Sequence, residues 1–184
     1  MSTESTTIAL LARLSGVLEP LKLFVQQKPV WGTCAGAILL STAVENAKKG
    51  GQELLGGMSI RIARNGWGSQ VESFEAPLEV QHLKDPSTPF NGIFIRAPVV
   101  IELTPKPDDP PIDVVAQLAP QLLPSALSAL GEGHTAEPKV FVALRQGRHF
   151  LTTFHPELTD DDRFHDYFVR QCVFANADEG KTKP

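Results

Sequence analysis

Lys28-Pro29-Val30-Trp31-Gly32-Thr33-Cys34-Ala35-Gly36-Ala37-Ile38-Leu39-Leu40 is the stretch whose reading decides the fold. Lys28 to Gly32 reads as a short buried strand, and the apolar run from about Ala35 to Lys48 reads as a helix that Gly50-Gly51 terminates. Glycines two before and two after Cys34 permit the strained strand-to-helix turn of a nucleophile elbow. The thiol then stands at a helix N-terminus, where unpaired amides favour a thiolate and the Ala35 N–H is available to a developing oxyanion. The plainer alternative is a small buried thiol among glycines that serve helix–strand packing.

Outward from this turn, apolar residues upstream recur at helical spacing as Ile8, Leu11, Leu14, Leu18, Leu21, Phe24 and Val25. Gly16 and Pro20 interrupt them, so two short helices or one broken helix are expected. Downstream, the alternation of Met58, Ile60 and Ile62 marks a strand, Val71 to Val80 another after the Asn65-Gly66 turn signal, and Gly92 to Arg96 a third. Residues 104–137, rich in Pro, Leu and Ala, are expected to form a surface excursion. Val140 to Leu144 and Phe150 to Phe154 bracket Arg145-Gln146-Gly147-Arg148-His149 and read as an antiparallel hairpin. Thr159 is the expected N-cap of a last helix, with Asp160, Asp161 and Asp162 in its first turn. Phe164, Phe168 and Cys172 share one face of that helix, which makes Cys172 a core residue. Residues 178–184 are charged and read as a flexible tail, leaving a single domain over 1–177. Strands mixed with crossover helices give an α/β layer architecture.

Composition narrows the function. The 184 residues carry 42% hydrophobic and 21% charged side chains, ordinary globular usage that excludes a disordered chain. Seventeen basic against 21 acidic residues leave a net charge of −4, with no basic run that tracks a phosphate backbone, so no nucleic-acid partner is expected. No apolar stretch approaches the ~18 residues that span a bilayer, the start Met1-Ser2-Thr3-Glu4 is polar, and only Cys34 and Cys172 are present. The expectation is a cytoplasmic protein without a membrane partner.

A cysteine nucleophile needs a base, and His82, His134, His149, His155 and His165 are available. Only His155 has a partner at useful spacing. In His155-Pro156-Glu157 the two ionisable side chains project to the same side of an extended segment, so the carboxylate can orient the imidazole. Cys34, His155 and Glu157 then form a triad for attack on a carbonyl. Arg64 and Arg96 stand at strand ends, where α/β folds gather ligands, and Glu4-Ser5-Thr6-Thr7 alone reads as a helix start. A cysteine peptidase or thioesterase uses the same triad, but two arginines suit a free amino-acid carboxylate better.

Several segments together carry a resemblance. They are Glu4-Ser5-Thr6-Thr7, Gly32-Thr33-Cys34-Ala35-Gly36, Arg64-Asn65 with Gly68, Gln70 and Ser73-Phe74-Glu75, Phe94-Ile95-Arg96-Ala97-Pro98, Arg145-Gln146-Gly147 and Phe154-His155-Pro156-Glu157-Leu158-Thr159. With these the chain resembles the glutaminase-subunit family of pyridoxal 5′-phosphate synthase, within the class I, triad-type glutamine amidotransferases. The resemblance implies a flavodoxin-like three-layer fold and hydrolysis of L-glutamine to L-glutamate and ammonia. The ammonia would pass to a ring-assembling synthase subunit in a hetero-oligomer, with no metal or organic cofactor. It also implies that Cys34 is the nucleophile, His155 the general base and acid, Glu157 its orienter and Ala35 an oxyanion donor. Glu4, Ser5, Arg64, Ile95 and Arg96 fall where that family binds L-glutamine.

Departures from the family pattern are Ser2-Thr3 where a Gly-Gly pair is usual, Ser69 where arginine is frequent, Trp67 in place of another aromatic residue, and the Pro-rich excursion. The family's first strand-helix-strand unit is expected to be lacking, which would leave an inner sheet edge open. The alternative reading is a non-catalytic truncated isoform or fragment that keeps part of the synthase-binding surface.

Overall fold

A computed structural model of the chain describes residues 4–45, 52–64, 73–119, 122 and 140–175. The elements in order are α1 (Glu4–Leu14), α2 (Leu18–Gln27), β1 (Val30–Thr33), α3 (Ala35–Leu40), β2 (Ser41–Glu45) and β3 (Met58–Ala63). They continue as β4 (Ser73–Val80), β5 (Phe90–Ile95), β6 (Val99–Leu103), β7 (Ile112–Leu118), β8 (Phe141–Gln146) and β9 (His149–Thr152). A 3₁₀ turn (Pro156–Leu158) then leads to α4 (Arg163–Phe168), which runs on as a π-helix (Val169–Phe174).

The break between α1 and α2 has the cause the sequence suggested. Gly16 adopts φ 75°, and the Val17 N–H donates back to the Ala12 carbonyl at 2.9 Å, closing α1 with a left-handed cap. Pro20 sits in the first turn of α2, where a missing amide hydrogen costs nothing.

Two sheets form, a six-stranded one ordered β1-β9-β8-β7-β4-β5 and a three-stranded one ordered β2-β3-β6. Among the described residues only β1 with β9 and β2 with β3 pair in parallel; the other ladders are antiparallel. The layered α/β class is as expected, with far more antiparallel pairing than helix crossovers alone would produce. Short links such as Gly147-Arg148 can join only antiparallel neighbours, whereas a parallel pair needs a crossover.

The β8–β9 hairpin divides two cores. Val142 and Phe150 face a cluster with Leu78, Phe90, Phe94, Phe154, Phe164 and Cys172, closed by α4. Leu144 and Leu151 face the other way, onto Ala37 and Ile38 of α3 and onto Met58, Ile60 and Ile62 of the small sheet. The hairpin is therefore covered on both faces, and all four β9 residues are buried. The first cluster is aromatic: Phe154 packs 5.2 Å from Phe164 and 5.5 Å from Phe94 between ring centroids, and Phe74 stacks on Phe94 at 4.5 Å. Cys172 is fully buried there, in the same cluster as Phe164, as the shared helical face implied.

Three expectations are corrected. The helix begun at Ala35 ends at Leu40, and Ser41–Glu45 is a strand, since Thr42 and Val44 are β-branched and Thr42 Oγ1 donates to the Ile60 carbonyl at 3.0 Å. Within 104–137, Ile112–Leu118 is no excursion but β7, flanked by β8 and β4, with Val115, Ala116 and Leu118 buried. Thr159 caps no helix: its hydroxyl turns back to the Pro156 carbonyl at 2.9 Å, and α4 starts after Asp162. Ser2, Thr3, Gly50, Gly51, the segment 65–70 and the tail 178–184 lie outside the described residues. Among the described residues no helix is long and apolar enough to cross a membrane.

Candidate active site

Cys34 is the hinge between β1 and α3. Its backbone takes φ 48° and ψ −103°, a conformation that costs a non-glycine residue on the order of 1–3 kcal/mol and persists only when the surroundings enforce it. Two contacts enforce it here. The Cys34 N–H donates to the Thr152 carbonyl at the end of β9 at 2.9 Å, and Gly32 approaches Gly36 so closely that a Cβ there would lie 2.5 Å from the Gly36 carbonyl oxygen. Because β1 and β9 are parallel, with Thr33 opposite Thr152, the segment that follows β9 leaves the sheet at the same end as Cys34. That segment carries His155 and Glu157. The end of β5 joins them, as the His155 N–H donates to the Ile93 carbonyl at 2.9 Å and the Cys34 thiol lies 3.8 Å from the Ile95 carbonyl.

His155 and Glu157 are coupled as the sequence implied, although through a 3₁₀ turn and not an extended segment. His155 Nδ1 is 2.7 Å from Glu157 Oε1, a bond that fixes the ring and leaves Nε2 as the second nitrogen. The His155 side chain is about one-fifth exposed and the Glu157 side chain nearly half, so the pair opens to solvent. Arg96 follows Ile95 at φ 47°, a second non-glycine residue in the left-handed region at the same site.

Burial pushes the Cys34 thiol up to about 11. The Glu4 carboxylate adds to that rise, the Ala35 amide opposes it, and the Glu157 carboxylate adds more. The sequence suggested that the helix start would favour a thiolate; in the structure the amide is present but desolvation and two carboxylates outweigh it. The resting thiol is thus protonated. Iodoacetamide is expected to modify Cys34 at pH 7.5 at least about 100-fold more slowly than a free thiol of ordinary pKa. The rate should rise about tenfold per pH unit toward the titration, read by mass spectrometry; modification as fast as a free thiol at pH 7.5 contradicts this.

The remaining site residues group around the same opening. Glu4 and Ser5 form the first turn of α1, with Ser5 fully buried. Arg64 directly follows β3, and its Nη1 donates to Gln52 Oε1 at 3.2 Å. The same oxygen accepts from Ser5 Oγ and Thr6 Oγ1, each at 3.4 Å. Gln52 thereby links Ser5 to Arg64, a role with no signal in the sequence, where it is one polar residue after two glycines. A cavity of about 550 Å³ lined by Ser59, Asp109, Arg145, Gln146 and His149 sits at the start of β9, whereas the thiol and imidazole sit beyond its end.

Comparisons with known proteins bear on the whole chain. The model of the SNO glutamine amidotransferase family matches residues 2–174. The chain is 42% identical over 175 residues to "Probable pyridoxal 5'-phosphate synthase subunit PDX2" of Arabidopsis thaliana, covering 91% of this chain and 67% of that protein. It is 41% identical over 167 residues to pyridoxal 5'-phosphate synthase subunit PdxT of Chloroflexus aurantiacus, covering 90% and 75%, and 40% identical over 171 residues to PdxT of Thermococcus onnurineus, covering 92% and 73%. A solved structure titled "Crystal structure of glutamine amidotransferase" superposes with a TM-score of 0.69 at 35% identity, covering 91% of this chain and 74% of that one. The fold is therefore that of the class I glutamine amidotransferases, as the resemblance implied. Because the match extends from the first helix through the small sheet to the last one and is not confined to the thiol turn, this chain belongs to the SNO glutamine amidotransferase family.

Proposed function

We propose that the chain is the glutaminase subunit of a pyridoxal 5′-phosphate synthase, hydrolysing L-glutamine to L-glutamate and ammonia. The observation that carries this reading is the Nδ1–Oε1 contact of 2.7 Å between His155 and Glu157, set at the same sheet end as the strained Cys34 turn. The family's name supplies the substrate class, and the relatives' names, each a subunit of a pyridoxal 5′-phosphate synthase, supply the partner.

The chemistry follows from the charges. Arg64 and Arg96 bind the α-carboxylate of L-glutamine, and Glu4 takes its α-ammonium, with Ser5 and the Ile95 backbone completing the pocket. An arriving ammonium offsets the Glu4 charge that helps hold the thiol protonated, so substrate binding itself eases the thiol toward ionisation. His155 Nε2 takes the proton as Sγ attacks the side-chain amide carbon, and Glu157 supports the imidazolium that forms. The Ala35 N–H donates to the oxyanion. Collapse of the tetrahedral intermediate breaks the C–N bond, with the His155 proton leaving on ammonia. Water, deprotonated by His155, then cleaves the thioester and releases L-glutamate. Ammonia passes to the synthase subunit of a hetero-oligomer, which we place in the cytoplasm.

The alternative of a non-catalytic isoform is not favoured for a chain that keeps thiol, imidazole and carboxylate at one sheet end. The test is L-glutamate release from L-glutamine by the purified chain mixed with its synthase subunit. Release that saturates with L-glutamine and is absent with L-asparagine, one methylene shorter, is expected. A folded, synthase-bound chain that releases no L-glutamate overturns the proposal.

A further inference from the structure

Thr153 is 1% exposed, and its hydroxyl oxygen has no hydrogen-bond partner among the described residues. A buried polar group in that state costs stability and calls for a reason. Its place supplies one. The Cys34 N–H donates to the Thr152 carbonyl, and in a parallel ladder that bond goes to the residue before the one opposite, so Thr153 stands opposite Cys34 on strands about 4.8 Å apart. The faces agree as well. Phe150 and Phe154 enter the aromatic core, whereas Leu151 packs with Ala37 and Ile38 of α3, and alternation puts Thr153 on that α3 side. A Cβ at Gly32 would point at Gly36 and Leu40, so β1 turns Gly32, and Cys34 two residues on, toward α3 too.

We propose that the Thr153 hydroxyl is a further donor to the Cys34 sulfur, engaged once the thiol has given up its proton. The inference rests on the glutaminase reading for its substrate and deepens it by naming a fourth side chain beside the triad. At rest the sulfur lies 3.8 Å from the Ile95 carbonyl, a contact in which the S–H donates. A thiolate has no hydrogen to give and is repelled by a carbonyl oxygen, so it turns from Ile95 toward donors. The Ala35 amide is one, and the unspent Thr153 hydroxyl is the second. When His155 Nε2 takes the proton from Sγ, the Thr153 O–H keeps its own hydrogen and rotates it onto the sulfur. A hydrogen bond to a charged acceptor is stronger than one between neutral groups, so this bond forms with the thiolate and not with the thiol.

The experiment compares the parent with Thr153→Val, which keeps the shape and removes the hydroxyl, and with Thr153→Ser, which keeps the hydroxyl. With the synthase subunit present, Thr153→Val is expected to lower kcat for L-glutamate release at least about tenfold with KM within about twofold, and Thr153→Ser to recover most of that loss. Iodoacetamide modification of Cys34 in the chain alone, read by mass spectrometry between pH 8 and 10, is expected to be at least about fivefold slower in Thr153→Val and near the parent in Thr153→Ser. The charged groups of the site, Glu4 on α1, Arg64 after β3, Arg96 after β5 and His155 with Glu157 after β9, are the same in all three chains. A melting temperature that holds or rises in Thr153→Val supports an unspent hydroxyl; one that falls by more than a few degrees shows the hydroxyl already bonded at rest and overturns the proposal. Parent-like turnover or parent-like alkylation in Thr153→Val, or a Thr153→Ser as slow as Thr153→Val, overturns it too. A parent that releases no L-glutamate overturns the glutaminase reading alone, and alkylation still decides the role of Thr153.

Discussion

Cys34→Ala is expected to lower L-glutamate release by at least about 10⁴-fold while leaving the melting temperature within a few degrees of the parent. The size of the loss follows from the mechanism: without Sγ no thioester forms, and His155 and Glu157 have no proton to move. The fold is spared because the thiol's contact with the Ile95 carbonyl, at 3.8 Å, is long and weak, and the Ala35 amide it also meets belongs to the adjoining residue. Alanine also accepts the turn's backbone contact with Thr152, which involves only the amide at position 34. Cys172→Ala should do the reverse. Its side chain is fully buried in the cluster that also holds Phe150, Phe164 and Tyr167, so truncation costs about 1–2 kcal/mol of stability and leaves turnover near the parent. Substrate titration and thermal melts of both variants read the two effects separately. Turnover that survives Cys34→Ala and vanishes in Cys172→Ala contradicts the assignment.

Among the described glycines, Gly32→Ala is expected to be the most damaging addition of a single methyl group. A Cβ at Gly32 would lie 2.5 Å from the Gly36 carbonyl oxygen, 2.6 Å from its carbon and 2.8 Å from Leu40 Cδ1. The first two are backbone atoms of α3 and cannot swing aside, so β1 and α3 must separate. Overpacking against backbone costs about 3 kcal/mol or more, which for a chain of this length lowers the melting temperature by roughly 6–12 °C. Turnover should fall with it, because the displaced helix carries Ala35 and the whole Cys34 turn. Gly36→Ala is the control. A Cβ there meets nothing within 4 Å, and alanine favours a helix over glycine by about 0.5–1 kcal/mol, so stability should hold or rise. Equal melting temperatures for the two variants would refute this account of the turn.

That pair also marks what the sequence conveys. Gly-Thr-Cys-Ala-Gly announces a tight strand-to-helix turn, but the two glycines look equivalent on paper; only packing separates one that must lack a side chain from one that need not. The β8–β9 hairpin was legible because apolar runs flank a Gly-Arg turn, β3 because its apolar residues alternate, and β5 because Ile93-Phe94-Ile95 is a short apolar run between Gly92 and Arg96. β7 was hidden by the prolines that precede it and by the Leu- and Ala-rich sequence after it, although Ile112-Asp113-Val114-Val115 is β-branched enough to pair. The apolar residues after Cys34 fit a long helix as well as a short one followed by a strand, and periodicity cannot choose between these. Asp161 was read as a helix-start charge; instead it holds Arg163, whose guanidinium also gathers the Asp85, Thr88 and Pro89 carbonyls. The triad was readable from local motifs. Gln52 was not, because its partners are brought together only by the fold.

Trp31 stands three residues before the thiol on β1, half-buried, with its Nε1–H 3.3 Å from Thr152 Oγ1. Its ring lies 5.3 Å from Phe150, 4.9 Å from His165 and 5.6 Å from Phe168 between centroids. One indole therefore touches the strand that ends in the nucleophile, the residue whose carbonyl fastens the turn, and the last helix. With Trp67 replaced by phenylalanine, its fluorescence becomes an optical signal built into the chain itself. A change in emission colour on adding a ligand would report movement of the β1–β9 seam before any bond in that ligand is broken.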